Sequence, residues 1–268
     1  MHKKLMKTPL SYYGGKQKLA PLIVPIIEAQ RHTLYNEPFC GGAAIFFSKK
    51  PSGVEVLNDT NRELINFYSV LKNRFNELQS LIKVTLHSRW QHRDAVVVYE
   101  SPHLFDEVRR AWAVWVLCCQ GFSSKIDGNW GYDKSKRTTT LKITNKRDTF
   151  TEALAIRLQD AQLECADALY VIESRDSIES FHYCDPPYFN SNCGHYDGYT
   201  AEDFTLLLEK LSGIKGKFLL SSYPSEVLAE YTKRYGWEQK SYEQGVSVNN
   251  KGGYQKRKWE VLTANFKF

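Results

Sequence analysis

Short apolar strands alternate with helical patterns at both ends of the chain, and this alternation restricts the fold more than any other feature. Predicted strands lie at 33–37 and 54–57 near the start, and at 169–172, 181–184 and 218–220 near the end, with helical patterns between most of them. Strands that alternate with helices in this way are typical of a parallel sheet layered with helices. The sequence therefore predicts an α/β fold.

The middle of the chain breaks this alternation. Apolar side chains recur at three- and four-residue steps over 104–120, which predicts an amphipathic helix, and a second helix is predicted at 150–163. We therefore expect one discontinuous domain, made of residues 1–71 and 161–268. A mainly helical insertion at 72–160 interrupts this domain, and a β-hairpin closes it near the C-terminus.

Composition places the chain among ordinary globular proteins. Its 268 residues are 42% apolar and 25% charged, which excludes a disordered chain, a collagen and a coiled coil. The six cysteines form no Cys-x-x-Cys pair and none stands near a histidine at zinc spacing, so we expect free thiols and no metal. The basic start is followed by no apolar signal region. The apolar run at 19–27 is too short for a bilayer, so we expect no membrane partner.

Two glycine-containing turns in the first quarter of the chain indicate a small-molecule site. The first, Glu-Pro-Phe-Cys-Gly-Gly at 37–42, stands between a strand and a helix, where glycine lets a ligand approach the backbone. Asp59 ends the next strand, near the offset at which an acidic residue meets ribose hydroxyls. A helix-breaking turn and a helix cap would explain the same residues. The patterns of an NAD site and of a P-loop are absent. The second turn, Tyr-Tyr-Gly-Gly-Lys at 12–16, is by itself more typical of a plain loop.

A stiff loop follows the predicted strand at 181–184. It consists of Asp185, Pro186, Pro187 and Tyr188. The two prolines fix φ and remove backbone donors, and the loop lies at the carboxyl end of a strand, where open α/β sheets bind ligands. The Asp185 carboxylate and the Pro186 carbonyl can each accept one hydrogen bond from an amino group on a flat base, and Tyr188 can stack on the ring. Asp-Pro-Pro also occurs in ordinary loops, but this context favours a site that positions an amine.

In this order, the segments resemble the Dam-type (D12 class, α group) DNA adenine-N6 methyltransferases, and most of all the phage-type members. The turns at 12–16 and 37–42, Leu-Asn-Asp at 57–59 and the late Asp-Pro-Pro-Tyr follow the family's order, and 171–176 resembles its Glu-x-Arg-Asp stretch. The resemblance covers nearly the whole chain. It implies a Rossmann-like methyltransferase sheet that uses S-adenosylmethionine, double-stranded DNA as partner and no metal ion. The target adenine would be flipped out of the duplex.

The resemblance also assigns residues to roles. It makes Asp185, Pro186, Pro187 and Tyr188 the catalytic group that holds the adenine. The residues that it assigns to the cofactor are Tyr12, Lys16, Pro38, Phe39, Gly41, Gly42, Asp59, Asp176 and Asp185. Many Dam proteins have tryptophan where this chain has Tyr12, but tyrosine keeps a stacking face.

Basic and aromatic side chains are concentrated in the predicted insertion. Residues 123–148 carry seven basic and three acidic side chains, in a chain whose formal net charge is +6. A solvated surface hairpin would explain the charge alone, but 123–132 resembles the family's recognition region, which favours contact with DNA. The predicted DNA-binding residues are Lys125, Asn129, Trp130, Tyr132, Lys134, Lys136 and Arg137. A second basic segment at 251–258 is a candidate contact with the DNA backbone.

The sequence thus predicts a site-specific DNA methyltransferase that transfers a methyl group from S-adenosylmethionine to N6 of a flipped adenine. Two alternatives stay open: methylation of cytosine N4 in DNA or of adenine in RNA, and a non-catalytic DNA-binding relative. Intact Lys16, Asp59 and Asp185 disfavour the second. We expect the enzyme in the cytoplasm, at the nucleoid of a bacterial cell, encoded by the bacterium or by a phage. We expect a monomer or a weak dimer on DNA.

Overall fold

The computed structural model describes residues 5–189, 198–245 and 257–268, and these contain a seven-stranded mixed sheet. The strands are β1 (Leu34–Glu37), β2 (Val54–Asn58), β3 (Gln162–Glu164), β4 (Ser180–Cys184), β5 (Lys217–Ser222), β6 (Glu238–Gly245) and β7 (Arg257–Ala264). Their order across the sheet is β3-β2-β1-β4-β5-β7-β6. The first five strands pair in parallel, and β7 lies antiparallel between β5 and β6. The predicted α/β fold is confirmed.

Helices connect most of these strands. They are α1 (Ala20–Glu28), α2 (Ala44–Ser48), α3 (Arg62–Asn73), α4 (Phe75–Val84), α5 (Arg89–Glu100), α6 (Glu107–Gln120), α7 (Thr138–Asp148), α8 (Glu152–Leu158), α9 (Ala168–Arg175), α10 (Ala201–Ser212) and α11 (Glu226–Tyr235). No helix in the described ranges is long and apolar enough to cross a membrane. The segment between β6 and β7, with Lys251 and Lys256, lies outside the described residues, and so does Cys193. The other five cysteines are free thiols.

The central strands are buried on both faces because apolar side chains cover each side of them. Phe181, Tyr183 and Leu219 pack in one cluster with the apolar face of α1. Cys184 and Leu220 point to the other face, where they pack with α10 and α11. The split follows the alternation of side chains along a strand. It leaves the ends of the strands, rather than their faces, as the accessible part of the sheet.

The helices α4 to α8 stand in the chain between β2 and β3, and α6 is their centre. Every residue from 111 to 120 in α6 is buried, and α6 packs against α3, α4 and α5. Trp115 of α6 belongs to the same apolar cluster as Phe67 of α3 and Leu57 of β2. The helical segment therefore shares a core with the sheet. The boundaries at 72 and 160 stay a prediction.

Local structure differs from the sequence prediction near β3. The helix predicted at 150–163 ends at Leu158, and the strand there is β3. The strand predicted at 169–172 is wrong, because these residues lie in α9. Asp167 caps α9 by accepting a hydrogen bond from the Tyr170 N–H at 3.0 Å. Ala168, Val171 and Ile172 are its buried residues, and this is helical rather than strand spacing.

Candidate active site

The carboxyl ends of β1, β2 and β4 meet at one edge of the sheet, because these strands are parallel neighbours. The residues that follow them are Pro38, Asp59 and Asp185. From β1 the chain continues toward β2, and from β4 toward β5 on the other side. Open α/β sheets bind ligands at such a switch point. The structure thus brings the predicted turn, the acidic residue and the tetrapeptide to the same edge.

Asp185 lies in a compact group of charges at this edge. Lys16 Nζ donates to Asp185 Oδ1 at 2.7 Å and to the Gly14 carbonyl at 3.0 Å. The same ammonium is 3.5 Å from Glu260 Oε1 on β7. The Tyr188 hydroxyl is within hydrogen-bonding distance of both carboxylates, at 3.1 Å from Asp185 Oδ1 and closer to Glu260 Oε1. Its single proton can be donated to one of them at a time.

Burial shapes the ionisation of this group. Burial raises the pKa of Asp185, and the charge of Lys16 offsets only part of that rise. Burial also raises the pKa of Glu260. The pKa of Lys16 would fall through burial alone, but the two carboxylates outweigh that effect and raise it. The site therefore holds an ammonium that stays charged beside two carboxylates that accept protons more readily than usual.

Aromatic rings surround the tetrapeptide loop. The Tyr188 and Tyr223 rings meet edge to face with centroids 4.4 Å apart, and Lys16 Nζ lies 5.0 Å from the Tyr188 centroid. Pro186 is buried and Tyr188 is half-buried. The loop thus presents a fixed carboxylate beside a partly exposed ring, which suits a planar base that carries an amino group.

Asp59 holds the glycine turn in place. Its Oδ2 accepts from the Gly41 N–H at 3.0 Å, and its Oδ1 accepts from the Asn61 N–H at 2.9 Å. Burial raises the pKa of Asp59, and the two backbone donors offset part of the rise. A carboxylate has about four acceptor positions, so two backbone donors leave capacity for hydroxyl groups of a ligand.

The two glycines of the turn are required by Tyr12. A Cβ on Gly42 would lie 2.7 Å from the Tyr12 Cβ, and one on Gly41 would lie 3.0 Å from the Tyr12 ring. Gly41 also has φ +45°, which favours glycine. Tyr12 and the turn are thereby packed together, with the half-buried Phe39 on the same segment.

The structure contradicts the predicted role of Asp176. This residue follows α9 and precedes β4, so it lies at the amino-terminal edge of the sheet, opposite Asp185. Its oxygens accept from the N–H groups of Lys215 and Gly216 at 2.8 and 2.9 Å. Asp176 therefore holds the start of β5 and cannot meet a ligand at the other edge.

Trp130 and Tyr132 form a stacked pair on the inserted segment. Their centroids are 5.5 Å apart with an angle of 18° between the rings. The Arg89 guanidinium, at the start of α5, lies 4.8 Å from the Trp130 centroid and 5.6 Å from that of Tyr132. The His87 Nε2 donates to the Gly131 carbonyl at 2.8 Å. The pair thus has defined support and carries a cation on its surface.

The remaining predicted DNA-binding residues are accessible. Asn129, Lys134, Lys136 and Arg137 are exposed. Lys125 is half-buried, and its ammonium lies 5.3 Å from the centroid of Tyr13.

Glu260 and Arg89 were missed by sequence reasoning. No sequence pattern pointed to Arg89, because only the fold brings α5 beside Trp130. A weak sequence pattern pointed to Glu260, because a lone acidic residue stands in an otherwise apolar strand pattern at 259–262. Asn58 is a third such residue. Its side chain donates to the carbonyls of Pro38 and Ala166 at 2.9 and 3.0 Å, and so ties the loops after β1 and β3.

Comparison with known proteins identifies relatives of the chain. The model of the D12 class N6 adenine-specific DNA methyltransferases matches residues 12–244. The type II methyltransferase M1.LlaDCHI of Lactococcus lactis subsp. cremoris is 30% identical over 242 residues, 81% of each chain. M.CviBI, a type II methyltransferase of Paramecium bursaria Chlorella virus NC1A, is 23% identical over 91% of this chain and 96% of its own. The DNA N-6-adenine-methyltransferase of Escherichia phage P1 is 28% identical, over 63% of this chain but 22% of its own.

The match at 12–244 includes both glycine turns, Asp59 and the tetrapeptide. Together with the 30% identity to a relative over four fifths of its length, it confirms the resemblance read from the sequence. The chain belongs to the D12 class of N6 adenine-specific DNA methyltransferases.

Proposed function

We propose that this adenine methyltransferase takes its methyl group from S-adenosylmethionine and acts on an adenine turned out of duplex DNA. The observation that carries the proposal is the position of Asp185 and Tyr188. They form a fixed carboxylate and a partly exposed ring at the switch point of the sheet. The carboxylate lies 2.7 Å from the buried Lys16 ammonium. An adenine inside a duplex cannot reach such a loop, so the base must leave the stack, at a cost of a few kcal/mol.

The donor set at this edge fits S-adenosylmethionine. The Asp59 carboxylate has acceptor capacity for the ribose hydroxyls. Phe39 on the turn at 37–42, and Tyr12 packed against that turn, supply aromatic surface. Tyr199, whose ring meets that of Phe39 edge to face, and Ser222, the last residue of β5, have buried hydroxyls without a hydrogen-bond partner among the described residues. Unsatisfied buried hydroxyls favour a polar ligand. When bound, the cofactor supplies an electrophilic methyl group on a cationic sulfur.

In the proposed mechanism the tetrapeptide orients the target amine. The Asp185 carboxylate and the Pro186 carbonyl each accept one hydrogen bond from N6. The nitrogen thereby becomes more tetrahedral, so that its lone pair leaves conjugation with the base and faces the methyl group. Tyr188 stacks on the ring. Asp185 also lies beside the nitrogen that loses a proton when the N–C bond forms, and its raised pKa favours acceptance of that proton.

We further propose that the helical segment 72–160 reads the DNA. The supporting observations are the Arg89–Trp130–Tyr132 stack and the basic side chains that follow it, which suit contacts with phosphates and bases. The contact between Lys125 and Tyr13 connects this surface to the loop that carries Tyr12 and Lys16. We keep a monomer or a weak dimer as the expected form on DNA, at the nucleoid of the host.

The test is a transfer assay with S-adenosylmethionine labelled on the methyl group. Unmethylated duplex DNA of mixed sequence and RNA are offered separately, and the products are digested to nucleosides. Label in N6-methyladenine from duplex DNA is the expected result. Label in N4-methylcytosine, or in RNA only, would identify one of the alternative substrates. If the wild-type protein transfers no label, the proposal is wrong.

Replacing Arg89 with alanine is expected to weaken binding to DNA about tenfold and to reduce the slope of log K against log salt by about 1. The reason is that an exposed guanidinium, fixed over two rings, displaces a bound counterion from the DNA when it pairs with a phosphate. Arg74→Ala is the matched control, because Arg74 is exposed but already paired with Glu77 and Glu107 at the end of α3. Filter binding at several salt concentrations measures both. Equal slopes for the two variants would remove Arg89 from the DNA interface.

A further inference from the structure

Glu260 has a place in the site that neither the sequence motifs nor the family match assigns, since it lies beyond residues 12–244. We infer that Glu260 is a positioning residue for methyl transfer, which holds the Tyr188 ring and takes over Lys16 from Asp185 when an adenine enters. This inference rests on the proposed function of the site.

The register of β7 places Glu260 at the edge of the sheet where Asp185 lies. β7 pairs with β5 so that Val261 stands opposite Ser222, the last residue of β5. Glu260, one residue earlier in β7, is 4% exposed, whereas its neighbour Trp259 is 49% exposed. A buried carboxylate is costly unless charges and donors compensate it. Lys16 and Tyr188 are the compensating groups here.

Lys16 and Tyr188 occupy the oxygen of Asp185 that faces them. Lys16 Nζ donates to Asp185 Oδ1, and the Tyr188 hydroxyl lies 3.1 Å from the same oxygen, so an incoming amine competes with them for that carboxylate. Glu260 Oε1 offers an alternative acceptor, 3.5 Å from Lys16 Nζ and in direct contact with the Tyr188 hydroxyl. A small movement of the flexible lysine side chain toward Glu260 keeps its charge paired and releases Asp185. In this rearrangement no proton is transferred and no covalent bond is formed or broken.

The charge balance of the group agrees with this role. The titratable and charged groups near Glu260 include Lys16, Asp185, Tyr188 and Tyr183. Tyr242 of β6 stands directly opposite Glu260 in the sheet. With both carboxylates ionised and Lys16 charged, the group carries one net negative charge, which favours a cationic donor beside it. Removing the charge of Glu260 would leave Lys16 bound to Asp185 alone, and this would lower the pKa of Asp185.

The central experiment compares the wild-type protein with Glu260→Gln. We expect kcat to fall by about 10- to 100-fold, the effect of a misplaced reacting group, with KM for DNA nearly unchanged. In the dependence of kcat on pH, the fall on the acid side is expected to move to lower pH, because the variant lowers the pKa of Asp185. A duplex with 2-aminopurine at the site mapped for the wild type gives a readout without methyl transfer. Its bound fluorescence should rise in the variant, because the Tyr188 ring is held less firmly.

A second variant approaches the same contact from the other side. Tyr188→Phe keeps the ring and removes the hydroxyl that joins Glu260 to Asp185. The double variant combines Glu260→Gln with Tyr188→Phe. If Glu260 acts through this hydroxyl, the kcat of the double variant should be within about twofold of that of Glu260→Gln, because the effects of coupled residues do not add in free energy. Fully multiplicative losses would show that Glu260 does not act through Tyr188.

Glu63→Gln is the matched control for loss of a buried carboxylate. Glu63 is 8% exposed and forms a two-bond pair with Arg110, between α3 and α6 and outside the proposed site. It should lower the melting temperature with little effect on kcat of the folded enzyme. The inference would be overturned if Glu260→Gln had the kcat and the pH profile of the wild type. It would also be overturned if the loss of activity in Glu260→Gln were no larger than the fraction of that variant that is unfolded. If the wild-type protein itself fails to methylate DNA, the proposed function fails instead.

Discussion

Asp185→Asn is expected to lower kcat for DNA methylation by about 10³-fold, at the upper end for loss of one preorganised polar group. Asparagine has nearly the same shape, but its nitrogen cannot accept a hydrogen bond and its side chain brings no negative charge beside a cationic donor. The fold should survive, because Lys16 keeps Glu260 as a partner at 3.5 Å. Single-turnover incorporation of labelled methyl groups measures the chemical step.

Asp176→Asn provides the control for this result. Asp176 is also an aspartate next to β4, but it lies at the opposite edge of the sheet, where it holds the backbone of Lys215 and Gly216. We expect the Asp176 variant to lose stability and to keep the kcat of the wild type when folded. If Asp185→Asn retains more than about a tenth of the wild-type rate, Asp185 does not orient the amine.

The second large effect is on stability. Lys16→Met is expected to lower the free energy of unfolding by about 3–5 kcal/mol near neutral pH, because it leaves two buried carboxylates without their cation. The pKa values of Asp185 and Glu260 are raised by burial even beside Lys16, and without it they rise further above their unfolded values. Protonation then favours the folded state. The deficit is therefore largest at alkaline pH and shrinks as the pH falls through the raised pKa values.

Lys49→Met separates this effect from the loss of any buried lysine. The Lys49 ammonium is 2.6 Å from Glu55 and its side chain is 1% exposed, but Glu55 keeps a second cation, because Arg157 also binds it. We expect a smaller loss for Lys49→Met than for Lys16→Met at pH about 8. Urea unfolding at about pH 8 and about pH 5.5 measures both. A Lys16→Met deficit that grows on acidification would contradict the assigned charges.

Features with a strong local signal were predictable. Thr200 before the acidic pair Glu202 and Asp203 predicts a helix N-cap, and α10 begins after Thr200 with a capping box that joins Thr200 and Asp203. The strand at 181–184 and the loop after it were also read in the correct place, because a continuous apolar run ends at two prolines. The spacing of Thr60 and Glu63 predicts a capping box for α3, but this prediction is wrong by one residue, because Asn61 accepts from the N–H groups of Glu63 and Leu64.

Features that depend on distant pairing were not predictable. The role of Asp176 was assigned from the resemblance of 171–176 to the Glu-x-Arg-Asp stretch of the family, and not from a local structural signal. In the structure Asp176 follows helix α9 and precedes β4, at the edge of the sheet opposite the site. Glu260 was missed because its polar partners in the site, Tyr188 and Lys16, are 72 residues or more away in sequence. Only the register between β7 and β5, which no local pattern encodes, places it beside Tyr188.

The core that Trp115 shares with Phe67 and Leu57 limits how this enzyme can change its target. Lengthening an inserted segment costs little loop-closure entropy, about 0.6 kcal/mol for each doubling of its length. We therefore expect the chain to tolerate longer loops at the proposed DNA surface. Exchanging the whole helical segment with that of a relative is expected to be more disruptive. A chimaera joined at the end of α3 would pair a foreign α6 with the resident face of α3 and leave mismatched packing. Successful exchanges should therefore carry α3 together with α4 to α8, or keep α6 and replace only the exposed segment around Trp130.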